Sequence, residues 1–157
     1  MKRFILFLFL SALFVTATAA QSTIFFVRHA EKADATKDPD LSEAGRARAE
    51  ALAKVLKNAE ITTIYATEFK RTQQTAAPLA RALGVNVTIR PAEATDFAVK
   101  LRTLTGNTLV VGHGNTIPDL IKSLGIATPI QIADNDYDNL FVLVLDEKPR
   151  LLRLHYR

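Results

Sequence analysis

The sequence predicts an α/β domain of three layers (α/β/α), in which helices cover both faces of a mostly parallel β-sheet. Short apolar runs alternate with helical patterns along the chain, which is typical of this fold class. The first run, residues 23–27, is rich in Ile, Phe and Val, as a strand buried on both faces should be. The last two runs, residues 140–145 and 150–156, flank the turn 146–149 and predict a closing hairpin.

The elements between these runs have recognisable start and stop residues. Ser42 suits the N-cap of a first helix that extends to about residue 57, with Leu52, Val55 and Leu56 facing inward. Gly84 ends a second helix that begins at about residue 70. The remaining predicted elements are strands at 63–66, 86–90 and 108–111 and helices at about 95–104 and 116–124.

The first 20 residues predict an export signal. Lys2 and Arg3 give a positive start, residues 4–15 are apolar apart from Ser11, and the small residues 17–20 suit a signal peptidase. The apolar run is shorter than the roughly 20 residues of a membrane span, so we expect cleavage, with an uncleaved anchor as the alternative. Residues 21–157 would then form one domain of a periplasmic or secreted protein, with no stable membrane insertion.

Composition limits the kinds of site that the chain can carry. Removing Lys2 and Arg3 with the signal lowers the net charge from +4 to +2, and the remaining Lys and Arg are dispersed. Nucleic acid is therefore not an expected partner. The chain has no cysteine, which excludes disulfides, thiolate metal sites and a lipidated start.

Cationic and imidazole side chains follow several of the predicted strands. Arg28 and His29 follow the first strand, Arg71 lies just past the second, and His113 follows the strand at 108–111. Ligands of open α/β sheets bind at the carboxyl ends of the strands, so we expect these four side chains to meet at one anion site. Because the donors of arginine match phosphate oxygens, the expected anion is a phosphoryl group.

His29 is the candidate nucleophile of this site. A neutral imidazole can accept a phosphoryl group, and nearby arginines disfavour the protonated form. No metal or organic cofactor is implied, because the arginines supply the positive charge. A metal site built from His29, His113 and Asp119 is the alternative, against which the fixed charge of Arg28 argues.

Four segments, in order, resemble motifs of the histidine phosphatase superfamily, also called phosphoglycerate-mutase-like. Residues 25–31 (FFVRHAE) are similar to its RHG motif, with Ala30 where glycine is commoner, and residues 40–47 (DLSEAGRA) to the segment that opens its first helix. Residues 65–67 (YAT) with 71–76 (RTQQTA) resemble its second arginine motif, and residues 110–115 (VVGHGN) its second histidine motif. Together the matches extend over residues 23–124.

The resemblance implies a fold, a reaction and a set of roles. His29 would be phosphorylated, and Arg28, Arg71 and His113 would complete the phosphate pocket. The family also uses an acid to protonate the leaving group, but Gly114 occupies the position that directly follows the second histidine. Other members carry the acid between the second arginine and the second histidine, which leaves the candidates Glu93 and Asp96. Of these we favour Asp96, which begins a predicted helix. Compact members can do without a clear acid when the leaving group departs easily.

The expected function is hydrolysis of a phosphomonoester or phosphoramidate on a small molecule, glycolipid or protein. One alternative is a phosphomutase, against which the short chain and the export signal argue. The other is a non-catalytic phospho-ligand binder, which the unassigned acid favours and the four pocket residues disfavour.

The acidic run 134–138 imitates the start of a calcium loop but lacks its later glycine and glutamate, so we interpret it as a solvated loop. His155, in the last strand, is expected to be structural.

Overall fold

The computed structural model describes residues 22–92 and 96–157. The predicted signal segment and Glu93 therefore lie outside the described residues. The strands are β1 (Ser22–Arg28), β2 (Ile61–Ala66), β3 (Val87–Ile89), β4 (Asn107–Gly112), β5 (Asn139–Leu145) and β6 (Arg150–His155). The helices are α1 (Glu43–Leu56), α2 (Lys70–Leu83), α3 (Phe97–Arg102) and α4 (Thr116–Ser123). Within the described part of the chain, no helix is long and apolar enough to cross a membrane.

Two apolar clusters, one on each face of the sheet, confirm the predicted three-layer α/β/α architecture. Leu52 of α1 and Leu79 of α2 pack with Val27 and Leu109 on one face. Residues of α3 and α4 pack on the other face with their own set of strand residues, which includes Phe26, Val110 and Phe141. Alternate residues of β1 and β4 thus enter opposite clusters, which is why residues 24–27 and 109–111 of these two strands are unbroken apolar runs.

The sheet is mixed, which corrects the expectation of a mostly parallel one. Its strand order is β3-β2-β4-β1-β5-β6. The first four strands are parallel to one another, whereas β5 is antiparallel to β1 and β6 is antiparallel to β5. After α4, residues 125–138 (hereafter the return segment) lead the chain back to the carboxyl end of β1, where β5 begins. β5 can therefore only descend antiparallel to β1.

The ends of α1 and α2 follow their predicted capping residues. Ser42 Oγ accepts a hydrogen bond of 3.0 Å from the backbone N–H of Gly45. Gly84 ends α2 in the left-handed conformation, with φ of 67°. Leu52 and Leu56 are buried as expected, but the prediction for Val55 is wrong, since it is 51% exposed. At 100° per residue, Val55 lies about 100° from the centre of the buried face of α1.

Candidate active site

The four predicted pocket residues meet at the carboxyl edge of the parallel strands. They line a single cavity of about 580 Å³, together with residues of the return segment. Arg28 of β1 pairs in register with Gly112 of β4, and the His29 N–H donates 2.9 Å to the Gly112 carbonyl. The pairing of β1 with β4 therefore places His29 beside His113, with 5.5 Å between the ring centroids.

The hydrogen bonding of His29 determines which of its nitrogens can react. The Nδ1 atom lies 2.8 Å from the carbonyl oxygen of Ala30 and must carry the proton that this bond requires. The lone pair of the neutral ring is then on Nε2. Burial, followed by the nearby charges of Arg28 and the other pocket cations, lowers the pKa of His29 to about 4. At neutral pH the side chain is an uncharged imidazole with a free lone pair.

His113 is held by a chain of hydroxyl groups. Its Nε2 lies 3.0 Å from Thr67 Oγ1, which lies 2.9 Å from Thr72 Oγ1, and Thr72 donates to the carbonyl of Phe69 at 2.7 Å. The other nitrogen, Nδ1, lies 3.5 Å from a guanidinium nitrogen of Arg71. Burial and then the charge of Arg71 lower the pKa of His113 to about 4. His113 is therefore neutral at pH 7, with Nδ1 on its Arg71 side.

Arg28 is oriented by the return segment. Its Nη1 donates to the carbonyl of Ala133 at 2.6 Å, and its guanidinium lies 4.5 Å from the ring centroid of Tyr137. The residue is buried, and its Nε has no hydrogen-bond partner among the described residues. A buried donor of this kind is satisfied when an anion enters the cavity.

Arg71 is oriented by its own helix and by the loop that follows β1. Its guanidinium lies 4.3 Å from the ring centroid of Phe69. It reaches the carbonyl of Lys37 at 3.4 Å and a carboxylate oxygen of Asp38 at 3.9 Å. Asp38 also accepts the N–H of Lys70 at 2.9 Å, so one carboxylate both caps α2 and pairs with its arginine.

Two threonines that sequence reasoning did not assign support the site from behind. Thr67 orients His113, as described above. Thr75 accepts the N–H of Ala30 at 2.9 Å and donates to the carbonyl of Arg71 at 2.7 Å, which ties the residue after His29 to the first turn of α2. Both lie in the segments 65–67 and 71–76 that resemble the second arginine motif, yet only the fold shows which atoms their hydroxyl groups reach.

The structure does not bring Asp96 to the other four residues. Asp96 directly precedes α3, close to the predicted helix start, but its carboxylate pairs with Arg90 at 2.7 Å and is 73% exposed. It is not among the residues that line the cavity. Glu93 lies outside the described residues, and its role stays a prediction. Ala92, just before it, does line the cavity.

The acidic run is only partly the solvated loop that we expected. Asp136 pairs with Arg153 at 3.1 Å, and Asp138 pairs with His155 at 2.9 Å, which gives His155 the structural contact expected of it. Asp134, by contrast, lines the cavity. In the part of the chain that the structure describes, no three His, Asp or Glu residues lie close enough to hold a metal ion.

Two guanidinium groups and two neutral imidazoles around one cavity suit a phosphoryl group and a nucleophile that attacks it. The fold and this site define a phosphatase. Residues 24–94 match the family model described as the histidine phosphatase superfamily (branch 1), a region that contains His29 and Arg71. This part of the chain is therefore similar to the histidine phosphatase superfamily, as its motifs predicted.

Solved structures of phosphatases share the fold. The protein histidine phosphatase SixA, complexed with tungstate, is 21% identical with a TM-score of 0.73, and the match covers 85% of this chain and 96% of that one. The mycobacterial glucosyl-3-phosphoglycerate phosphatase is 16% identical with a TM-score of 0.63, and the match covers 87% of this chain and 98% of that one. No curated protein sequence matches the chain.

Proposed function

We propose that this protein hydrolyses a phosphomonoester or phosphoramidate outside the cytoplasm, through a phosphohistidine formed on His29. The observation that carries the proposal is the 2.8 Å contact from His29 Nδ1 to the Ala30 carbonyl. It commits one ring nitrogen to the protein and leaves Nε2 as the nucleophile, in a cavity lined by Arg28 and Arg71.

The other pocket residues supply the charge that such a reaction needs. Arg28 and Arg71 bind the non-bridging oxygens of the phosphoryl group, and His113 lines the same cavity beside them. The lone pair of Nε2 forms the bond to phosphorus while the bond to the leaving group breaks. Water then attacks phosphorus and releases His29 and inorganic phosphate. Because fixed guanidinium groups neutralise the equatorial oxygens, no resident metal is required.

The cavity is open to solvent at its rim and so does not limit the size of the substrate. Asn115 and Asp134, which line it, are both exposed, so the phosphoryl group can be part of a larger molecule. The names of the similar structures include a protein histidine phosphatase and a phosphatase of a phosphorylated sugar acid. A phosphorylated small molecule, glycolipid or protein therefore remains the proposed substrate class.

Trapping the intermediate tests the proposal. Rapid mixing with an aryl phosphate should release a burst of about one phenol per protein and leave phosphate that is stable in alkali and lost in acid. His29→Ala should abolish the burst and lower the turnover rate at least about a thousandfold, with an unchanged circular dichroism spectrum. His155→Ala is the control, because that exposed histidine contacts Asp138 and does not line the cavity. Activity within tenfold of wild type for His29→Ala would remove it from the mechanism.

Three further measurements test the proposal against its alternatives. Activity should survive exhaustive treatment with a metal chelator and should be inhibited by vanadate; loss on chelation and recovery with zinc would indicate a metallohydrolase. Adding a sugar-acid acceptor should not divert the phosphoryl group from water. Transfer to that acceptor in preference to water would indicate a mutase.

A further inference from the structure

Asp134 is a carboxylate that the proposed phosphate pocket does not need for binding. Among the described residues that line the cavity, it is the only acidic one. A carboxylate beside a phosphate site repels the substrate as an anion, but as an acid it can protonate a leaving group. Its position at the cavity therefore points to chemistry at the departing atom rather than to phosphate binding.

The return segment holds Asp134 at the cavity from both sides. On one side, the carbonyl of Ala133 accepts a 2.6 Å hydrogen bond from Arg28. On the other, the ring of Tyr137 lies 4.5 Å from the Arg28 guanidinium and 6.1 Å from the His29 ring. Arg28, the arginine proposed to bind the phosphoryl group, therefore also fixes the backbone position of Asp134.

The three aspartates of the return segment differ in what they contact. Asp136 and Asp138 pair with Arg153 and His155 of β6. Asp134 forms no ion pair with any residue that the structure describes, and its side chain is exposed to solvent at the rim. Of the three, it is the aspartate that lines the cavity, where it can contact a ligand.

An adjoining groove gives the leaving group a place to lie. This groove, lined by Pro118, Ile130, Gln131 and other residues, has a volume of about 460 Å³. Gly114, Asn115 and Ile132 line both the groove and the phosphate cavity, so the two are continuous. A leaving group that extends from the phosphoryl site into this groove passes Ile132 and Ala133 of the return segment, which directly precede Asp134 in the chain.

We infer that Asp134 is the proton donor to the leaving group, an inference that rests on the proposed function. In the first step, His29 Nε2 bonds to phosphorus, the bond from phosphorus to the leaving oxygen or nitrogen breaks, and the Asp134 proton goes to that atom. In the second step, water bonds to phosphorus, the bond from phosphorus to Nε2 breaks, and a proton of the water returns to Asp134. Protons and electron pairs balance over the two steps, with no further reactant.

The test compares two leaving groups in the full chain. An alkyl phosphate needs a proton to leave, whereas an aryl phosphate with an acidic phenol does not. Asp134→Asn should lower kcat/KM about a hundredfold or more for the alkyl ester, lower it less than about fivefold for the aryl ester, and retain the phenol burst. Asp134→Glu should restore part of the alkyl activity. Asp136→Asn, in the same segment, is the control for a purely structural change and should show no split between the substrates.

Failure of the role of Asp134 can be distinguished from failure of the proposed function. Equal losses on both substrates, or no loss, would overturn the role of Asp134. A split seen with Glu93→Gln instead would assign the proton to the acid that follows Ala92. If the wild-type protein gives no phosphoenzyme on His29, the proposed function itself fails, whatever the Asp134 variants do.

Discussion

The rings of His29 and His113 lie with their centroids 5.5 Å apart and their planes at 63°. His29 is bonded through Nδ1 to the Ala30 carbonyl, whereas His113 has a partner at each nitrogen, the Thr67 hydroxyl at Nε2 and the Arg71 guanidinium at Nδ1. Burial keeps both neutral, since it lowers both pKa values to about 4. Two uncharged imidazoles side by side avoid the repulsion that two imidazolium ions would add to the arginines.

The buried histidines should make the protein less stable in mild acid. Their pKa values rise from about 4 in the fold to the ordinary 6.5 on unfolding, so between these pH values the unfolded chain binds more protons. The free energy of unfolding should therefore fall as pH drops through this window. From pH 7.5 to pH 5, we expect a loss of at most about 4 kcal/mol from the two groups.

Urea unfolding at the two pH values measures this loss. The double variant His29→Asn/His113→Asn should be less sensitive to pH than the wild type, because it lacks both groups. His155→Asn, which removes only an exposed histidine, serves as the control. An equal loss in the wild type and the double variant would show that other groups cause the pH dependence.

Thr67→Val should impair catalysis by releasing the ring of His113. Valine has the shape of threonine but leaves His113 Nε2 without its 3.0 Å partner. An unsatisfied buried group costs about 1 to 3 kcal/mol, so we expect kcat/KM to fall about tenfold or more. Steady-state kinetics with an aryl phosphate would measure the effect. Thr67→Ser keeps the hydroxyl and should retain most activity; equal loss in both variants would contradict the role of the hydroxyl.

Gly45→Ala should destabilise the fold strongly. A methyl group at this position of α1 would overlap the backbone carbonyl of Glu31, which neither helix nor loop can easily move. We expect a loss of about 3 kcal/mol or more in the free energy of unfolding, measured by thermal melting. Gly114→Ala is the matched control, since its methyl group would make only ordinary contacts, 3.5 Å from Ile132 and 3.8 Å from Arg28. Equal melting temperatures for the two variants would contradict this account.

The amino-terminal segment carries a prediction that depends on the sequence alone. We expect the mature chain to begin at Ala20 or Gln21 and to be recovered outside the cytoplasm. Amino-terminal sequencing of protein from an envelope or secreted fraction measures this. Recovery of chains that retain Met1 in the membrane fraction would instead support the uncleaved anchor.

The sequence by itself predicted the three-layer α/β/α class and the meeting of Arg28, His29, Arg71 and His113. Both rest on short-range patterns: apolar runs identify the strands, and side chains that directly follow parallel strands share one edge of the sheet. The helix ends at Ser42 and Gly84 were predicted correctly for the same reason, because each capping residue acts on backbone groups a few positions away.

The tertiary structure alone decided the direction of β5, the exposure of Val55, and the surroundings of Asp96 and Asp134. The direction of β5 and the position of Asp134 depend on contacts between residues far apart in sequence, which no local pattern encodes. Arg90 pairs with Asp96 outside the cavity. The return segment meets Arg28 from 105 positions away and thereby brings Asp134 to the site. A carboxylate acquires its role from the charges that the fold places around it, and those charges come from other elements of the chain.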